Sequence, residues 1–323
     1  MIEGKQSCPV LVRNVAWLAD AVIELTVEHA DGELLPAWRP GAHIDIVLPS
    51  GQSRQYSLCG EPSNRRSYKI AVLKDANGRG GSIELHDTQL IGRVLELRGP
   101  RNHFALVPAS AYRFVAGGIG VTPIVPMVAA VAAQGLDWKL LYGARSCSGM
   151  AYRSILELYG DRVAFVPEDE LGHPDIRGLL TDAPTGAAIY CCGPEGMIRA
   201  IETCCMELGR SADLHLERFS PAIKDPAQDS TLNAPGAFEV ELRRTGATIV
   251  VPPDGTILDS ARNAGVQVPS SCGVGVCGAC EVTLLDGVPD HRDSILSAQE
   301  RAEGKTMMIC VSRALSKRLV LDL

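Results

Sequence analysis

A group of four cysteines near the carboxyl end restricts the fold of this 323-residue chain more than any other feature. The cysteines are separated by four, two and twenty-nine residues: Cys272, Cys277, Cys280 and Cys310. A spacing of four then two, with a distant fourth cysteine, is typical of plant-type 2Fe–2S sites. Three thiolates on one short loop require the backbone to wrap tightly, and the glycines at 273, 275 and 278 permit the positive φ angles that this needs. The loop therefore predicts an iron–sulfur domain.

A zinc knuckle is the competing interpretation of Cys277 and Cys280. A zinc ribbon normally supplies a second closely spaced pair, whereas Cys310 stands alone, so the spacing favours iron and sulfur. The chain has eleven cysteines in all, and the other seven are scattered or adjacent in apolar or turn contexts. These seven are expected to pack as small hydrophobic side chains.

The composition, with 46% hydrophobic and 21% charged residues, is that of a soluble globular protein. The net charge of −7 argues against a general nucleic-acid binder, which usually has a basic face. The first twenty residues include charged side chains, so no signal peptide is expected. No run approaches the roughly eighteen apolar residues of a membrane span. We therefore expect a cytoplasmic protein that binds neither nucleic acid nor membrane.

Hydrophobic periodicity divides the chain into three parts. Residues 10–107 form short strand-like runs separated by Gly and Pro turns, which predicts an antiparallel barrel or sandwich. From Tyr112 to Phe219, apolar strands alternate with helical stretches, as in a parallel, doubly wound sheet. Residues 221–236 are polar with three prolines, which is linker composition. A compact unit with a strand pair, a helix and the cysteine loop follows.

A glycine-rich turn, GGIGVTP, lies between the strand RFVAG and a predicted helix. Small residues let a pyrophosphate approach the backbone, and a helix amino terminus favours its negative charge. Thr122 can cap this helix, with Pro123 in its first turn. The GxGxxG pattern is absent, so a plain tight turn is the alternative.

The strand end AIYCCGPEGM repeats the same arrangement of apolar strand, Gly–Pro turn and helix. Ligands of open α/β sheets bind at the carboxyl ends of such strands. Cys192, Gly193 and Pro194 are therefore candidates to lie beside a nicotinamide. For Cys192 the alternative is simple packing at the end of the strand.

Two segments of the first part suit a phosphorylated planar cofactor. In RQYS (54–57), Arg54 and Tyr56 face the same side of a strand, which suits a phosphate contact beside an aromatic ring. NGRGGS (77–82) offers a glycine-rich anion cradle with Arg79 and Ser82 as partners. Alone, either segment could be an exposed hairpin.

Together these segments resemble the ferredoxin–NADP reductase superfamily, and more closely phthalate dioxygenase reductase and the vanillate O-demethylase reductases. The resemblance covers essentially the whole chain, with RxYSL, GRGGS, AGGIGVTP, YCCGPEGM, HLERF, the cysteine loop, DHRD and the ending VSRALSKRLVLDL. It implies an FMN-binding antiparallel β-barrel at 1–108 and an NAD-binding α/β domain with a doubly wound parallel sheet at 109–224. After a linker at 225–236, it implies a β-grasp 2Fe–2S ferredoxin domain at 237–323.

The resemblance also implies roles for individual residues. Those expected to bind FMN are Arg54, Gln55, Tyr56, Ser57, Lys74, Arg79, Gly80, Gly81 and Ser82. Those expected to bind NADH are Gly117, Gly118, Gly120, Thr122, Pro123, Arg145, Cys192, Gly193 and Pro194. Thr122, Cys192 and Phe219 would organise the hydride site, with Phe219 on the flavin face or, alternatively, packing near a hinge. His215 and Glu217 are interpreted as structural.

The implied function is that of an NADH-dependent reductase component. A hydride would pass from NADH to FMN, and single electrons would pass through the 2Fe–2S cluster to a terminal Rieske-type oxygenase. NADH is favoured over NADPH, although Arg145 is a lone cation that could read a 2′-phosphate. We expect a monomer. The alternatives are a stand-alone enzyme, such as a flavin reductase, and a redox-sensing iron–sulfur protein.

Overall fold

The computed structural model describes residues 7–220 and 236–323. The chain forms two compact units, Met1–Glu217 and Arg218–Leu323. The predicted boundary at 108/109 lies inside the first unit and stays a prediction. The predicted linker at 225–236 falls, apart from Gly236, outside the described residues. In the described ranges, no helix is both long enough and apolar enough to span a membrane.

The amino-terminal half of the first unit is an antiparallel sheet with one short helix. Its elements are β1 (Ser7–Ala19), β2 (Val22–His29), β3 (His43–Val47), β4 (Ser53–Ser57), β5 (Ser67–Leu73), α1 (Gly81–Asp87) and β6 (Val94–Arg101). The strands are hydrogen-bonded in the order β4-β3-β6-β1-β2-β5. An antiparallel bridge between Leu58 and Ile70 joins the two outer strands, so the sheet closes into a barrel. The barrel prediction is confirmed.

Every second side chain along the strands points into the barrel and forms its core. Val10 and Val12 of β1 and Leu25 and Val27 of β2 are fully buried, two residues apart in each strand, and belong to one hydrophobic cluster. Successive side chains of a strand point to opposite faces, so this spacing directs one row inward.

The second half of the first unit is a parallel sheet with helices. Its elements are β7 (Ala111–Gly117), α2 (Val121–Ala133), β8 (Asp137–Ala144), α3 (Arg153–Leu156), β9 (Val163–Pro167), α4 (Glu168–Leu171), α5 (Ile176–Thr181), β10 (Ala188–Cys192), α6 (Glu195–Glu207) and β11 (Leu214–Glu217). The strand order is β11-β10-β7-β8-β9, with parallel pairing throughout. Short 3₁₀ helices lie at Gly118–Gly120, Cys147–Gly149, Glu157–Arg162 and Ser211–Asp213. The predicted doubly wound sheet is confirmed.

Helices cover both faces of this sheet. Phe114 of β7 packs in one cluster with α2, and its neighbour Val115 packs in another with Ile176 of α5 and Ile198 of α6. Strands buried on both faces have near-continuous apolar sequences, which explains runs such as AIYCC.

The barrel and the parallel sheet share a hydrophobic core. Ala19, Val22, Cys59 and Ala71 come from the barrel, yet they belong to the same cluster as Phe114 of the parallel sheet. The two halves therefore bury apolar surface against each other.

The second unit contains a five-stranded sheet and two helices. Its elements are β12 (Phe238–Leu242), β13 (Ala247–Val251), α7 (Ile257–Asn263), β14 (Glu281–Asp286), β15 (Pro289–Asp290), α8 (Ala298–Glu303), β16 (Thr306–Met308), β17 (Arg313–Ala314) and β18 (Arg318–Leu321). The sheet order is β13-β12-β18-β14-β16, and β12 pairs in parallel with β18. Thr256 caps α7 by accepting a hydrogen bond from the Asp259 N–H at 3.0 Å. The β-grasp prediction is confirmed.

Candidate functional site

Two glycine turns are packed against each other at the carboxyl ends of β7 and β10, the position at which open α/β sheets have their ligand crevice. β8 lies on one side of β7 and β10 on the other, which makes this the topological switch point where open α/β sheets bind ligands. A Cβ atom on Gly120 would lie 2.2 Å from the carbonyl oxygen of Cys192, and one on Gly117 would lie 2.4 Å from Cδ of Pro194. One on Gly193 would lie 3.0 Å from the backbone of Gly117. Only glycine allows the two turns to approach this closely.

The helix after the first turn begins at Val121, with Gly120 as its N-cap. Thr122 is therefore inside the first turn, and its Oγ1 donates a hydrogen bond to the Ile119 carbonyl at 2.9 Å. The prediction that Thr122 caps the helix is wrong, because the helix begins before the threonine. Pro123 does lie in the first turn, as predicted.

A thiol and a carboxyl group lie on neighbouring strands at the ends of β10 and β11. Cys192 is 1% exposed and pairs in register with Glu217. Burial first, and the Glu217 carboxylate second, raise the pKa of the Cys192 thiol well above its usual value. Burial also raises the pKa of Glu217 to about 8. In both groups the shift favours the protonated form.

Glu217, which the sequence analysis interpreted as structural, has an unusual environment in the structure. Within the described residues, its buried Oε2 has no hydrogen-bond partner, and buried polar atoms normally have one.

Arg54 and Arg79 lie together at the edge of the barrel. Nη2 of Arg54 donates to the carbonyl oxygen of Arg79 at 2.9 Å. Burial first, and the charge of Arg79 second, lower the pKa of Arg54. Two neighbouring cations are stabilised by an anion, so this pair suits a phosphate.

The glycine segment next to this pair begins a helix. Gly80, with φ of 81°, is the N-cap of α1, so the exposed-hairpin alternative for this segment is wrong. A Cβ atom on Gly81 would lie 2.5 Å from Nε of Arg54, so the arginine occupies the space that a side chain would need. Oγ of Ser82 accepts a hydrogen bond from the Asp75 N–H at 3.0 Å, which ties the turn to the helix.

The other predicted flavin residues differ in their surroundings. Burial raises the pKa of Tyr56 above its usual value, so its ring stays neutral beside Arg54. Ser57 is buried at the end of β4, and Gln55 pairs in register with Asp45 of β3. Lys74 is 2.6 Å from Asp87 in an ion pair at the end of α1. Their roles toward a cofactor stay predictions.

Arg145 follows β8 and is exposed. Its carbonyl oxygen accepts a hydrogen bond from the Asp169 N–H at 3.1 Å, which brings α4 beside it. The acidic first turn of α4, Glu168–Glu170, therefore lies next to the one cation suggested for reading a 2′-phosphate.

Phe219 is 46% exposed and belongs to the second compact unit. Its predicted place on the flavin face stays a prediction. His215 stacks on Tyr190 with ring centroids 4.6 Å apart, in keeping with the structural role expected of it.

The cysteine loop has the geometry that its glycines predict. Gly273, Gly275 and Gly278 have φ angles of 66°, 74° and 69°. The backbone N–H groups of residues 274 and 276 donate to Sγ of Cys272 at 3.4 and 3.5 Å. The N–H of Ala279 donates to Sγ of Cys277 at 3.5 Å. N–H donors directed at sulfur offset the negative charge of a thiolate-bound cluster.

The loop and the distant fourth cysteine converge. The Cys272 thiol is hydrogen-bonded to Cys277 and Cys310, and these bonds hold its pKa below the usual value. The Cys280 thiol is in turn hydrogen-bonded to Cys310. All four are buried. The donor set fits a 2Fe–2S cluster, which takes four thiolates.

Residues 240–315, which contain all four cysteines, match the family model described as the 2Fe-2S iron-sulfur cluster binding domain. The phenoxybenzoate dioxygenase subunit beta of Ectopseudomonas oleovorans is 44% identical over 315 residues, which cover 97% of this chain and 96% of that protein.

Two solved structures are similar over nearly the whole chain. Phthalate dioxygenase reductase, described as a modular structure for electron transfer from pyridine nucleotides to [2Fe-2S], is 33% identical with a TM-score of 0.70, covering 98% of each chain. An intact type IV self-sufficient cytochrome P450 monooxygenase is 40% identical with a TM-score of 0.90. That match covers 98% of this chain but 41% of the P450 chain.

Proposed function

The chain belongs to the family of oxygenase-system reductases that includes phthalate dioxygenase reductase, and we propose that it carries electrons from NADH through FMN and a 2Fe–2S cluster to a terminal oxygenase. The resemblance inferred from the sequence is confirmed, and the protein is an oxidoreductase. One observation supports the proposal best: the same chain has a parallel sheet with a switch point suited to a nucleotide and four converging buried cysteines suited to a cluster.

The proposed flavin is FMN. Arg54, Arg79 and the turn at Gly80 and Gly81 form one compact cradle at the edge of the barrel. Because the Arg54 side chain occupies the space beside Gly81, the cradle suits a terminal phosphate held by charge and backbone N–H groups. A flavin with an adenosine extension needs a further surface beyond its phosphates, for which the sequence shows no evident segment.

The proposed nucleotide is NADH. A 2′-phosphate near Arg145 would also meet the carboxylates of Glu168 and its neighbours in α4. Like charges disfavour that placement, whereas a 2′-hydroxyl could accept or donate a hydrogen bond there.

Bound FMN would supply the conversion between a two-electron hydride donor and a one-electron acceptor. The residues of the chain would bind and orient the two cofactors and exclude water from between them. The glycine turns at 117–120 and 193 would let the pyrophosphate of the nucleotide approach the protein backbone. Thr122 and Cys192 are 2% and 1% exposed, so they would exclude water from this side of the site. Glu217 lies in register with Cys192 at the end of β11, and burial raises its pKa, which favours a protonated carboxyl group that could donate a hydrogen bond to the nucleotide.

Cofactor analysis tests the proposal. We expect one FMN, two irons and two labile sulfides per chain, because there is one cradle and one set of four cysteines. Acid extraction followed by chromatography identifies the flavin, and metal and sulfide assays count the cluster. Stoichiometric zinc without sulfide would refute the cluster, and extraction of FAD would refute the choice of flavin.

The proposed partner is a Rieske-type oxygenase component, with this chain acting as a monomer. Encounters between redox partners are usually small and transient. With a net charge of −7, we expect a basic patch on the partner to steer the encounter. Electron transfer to the oxygenase should therefore slow as added salt shortens the Debye length to about 8 Å. The rate of flavin reduction by NADH should change little. A diffusion-limited rate that is independent of salt would contradict steering.

A stand-alone flavin reductase and a redox sensor are the alternatives. Steady NADH-dependent reduction of an artificial one-electron acceptor separates an enzyme from a sensor, because a sensor does not turn over. A variant that loses the cluster but keeps the flavin distinguishes an oxygenase-system reductase, which needs the cluster to pass electrons on, from a stand-alone flavin reductase, which does not.

A further inference from the structure

A buried hydrogen bond joins the two halves of the first unit. Tyr152, on the loop that follows β8, is 3% exposed and donates through its hydroxyl to Oε2 of Glu24 on β2 at 2.9 Å. The other oxygen of Glu24 accepts from Nζ of Lys69 on β5 at 2.9 Å. The carboxylate is therefore held by both a barrel lysine and a tyrosine of the parallel-sheet half.

Tyr152 adopts a backbone conformation that tyrosine seldom takes. Its φ is 60°, and the only other described non-glycine residue with positive φ is Ala21. Such a conformation costs free energy and persists where the surroundings determine it strongly. The surroundings here are the Glu24 carboxylate and a shared hydrophobic cluster that includes Ala19 and Val22 of the barrel.

On the barrel side, the link reaches the strand that carries the predicted flavin residues. The Tyr152 hydroxyl gives its proton to Glu24, and the same side chain also lies against Cys59, which is buried. Sγ of Cys59 in turn donates to the carbonyl oxygen of Ser57 at 3.3 Å. Ser57 is the last residue of β4, three residues after Arg54.

On the other side, the link reaches the nucleotide turn. The hydroxyl of Tyr142 lies 3.1 Å from the carbonyl oxygen of Ala151 and 3.2 Å from that of Gly118. A tyrosine hydroxyl has one proton, so the two carbonyls share it. Tyr142 is fully buried, and Ala151 immediately precedes Tyr152. A continuous set of contacts thus runs from Gly118 to Ser57.

We propose that Tyr152 is a positioning residue for hydride transfer: through Glu24 and Cys59 it fixes the nucleotide turn at Gly118 relative to the flavin-binding strand. This inference rests on the proposed function, because it requires FMN on the barrel and NADH in the crevice. Tyr152 is buried and is not among the residues assigned to either cofactor. It acts by holding the two binding surfaces at the separation that the reaction needs, which matters because small displacements slow such reactions strongly.

The test compares Tyr152→Phe with Tyr68→Phe in the full chain loaded with its cofactors. Tyr68 is a matched control, since it is 1% exposed and donates its hydroxyl to the Pro36 carbonyl within the barrel. In Tyr152→Phe, the rate of flavin reduction at saturating NADH should fall by roughly ten- to a hundredfold, while FMN content and the dissociation constant for NADH stay unchanged. The long-wavelength charge-transfer absorbance between nicotinamide and flavin should weaken. Tyr68→Phe should lose thermal stability only.

Glu24 provides an independent check, and it serves if Tyr152→Phe does not fold. Glu24→Ala should slow flavin reduction as Tyr152→Phe does, whereas Glu24→Gln keeps an acceptor oxygen and should retain most of the rate. The double variant Tyr152→Phe/Glu24→Ala should be no slower than the slower single variant, because the bond between the two side chains is already lost in each.

Two outcomes separate the failures. An unchanged rate and charge-transfer absorbance in Tyr152→Phe, or rate losses that multiply in the double variant, would overturn the positioning role alone. If NADH does not reduce the flavin bound to the wild-type protein, the proposed function is overturned, and the positioning role with it.

Discussion

Serine in place of Cys277 should divide the activity of the protein. Reduction of bound flavin by NADH should survive, while reduction of cytochrome c should fall to the level of protein without iron. Cys277 is 1% exposed and hydrogen-bonded to Cys272 within the loop, and a hydroxyl is a poor substitute for a soft thiolate ligand. The nucleotide crevice and the phosphate cradle belong to the other compact unit, so hydride transfer does not depend on this residue.

Stopped-flow bleaching of the flavin and steady-state cytochrome c reduction measure the two steps. Cys205→Ser is the matched control: this cysteine is fully buried on α6, outside the loop, and its replacement should cost stability but preserve both activities. An equal loss of both activities in folded Cys277→Ser would show that the electron path is not modular. A fully retained cytochrome c activity would favour a stand-alone flavin reductase.

Alanine at position 120 should weaken NADH binding and misplace the bound nucleotide. Its Cβ would lie 2.2 Å from the carbonyl oxygen of Cys192, so either the turn or the end of β10 must move. Overpacking of this kind costs about 1–3 kcal/mol of stability. A shift of about 1 Å at the crevice should slow hydride transfer by about a hundredfold. FMN content should be unchanged, because the phosphate cradle is on the barrel.

Gly196→Ala is the control for this variant. Gly196 lies in α6, has no positive φ, and has open space where a Cβ would be placed. Alanine there should leave NADH binding unchanged and increase helix stability slightly. Titration with NADH and thermal melting compare the two proteins. Wild-type flavin reduction in Gly120→Ala would contradict the assignment of the crevice.

Local sequence signals predicted the architecture and the cluster loop. The alternation in β1 and β2, the strand–helix alternation after Tyr112 and the cysteine spacing depend on neighbours in the chain, so they can be read without a structure. The positive φ angles at Gly273 and Gly275 follow from the same local requirement.

Other features depend on tertiary contacts. The helix after the glycine turn begins at Val121 because the preceding backbone is already folded against β10, so Thr122 cannot serve as its cap. Glu217 is perturbed by its burial at the end of the sheet, which its neighbours in sequence do not reveal. The Tyr152–Glu24 bond joins residues 128 positions apart. No local pattern predicts such pairs.

The hydrophobic cluster shared by the barrel and the parallel sheet affects where the chain can be divided. A cut near residue 108 would divide this cluster and expose apolar surface on both fragments, because Ala19, Val22 and Cys59 lie on one side of the cut and Phe114 on the other. Fragments with such exposed surfaces tend to aggregate. A cut after Glu217 follows the division between the compact units. A transplanted reductase module would therefore consist of the flavin and nucleotide halves together, with the ferredoxin part as the exchangeable piece.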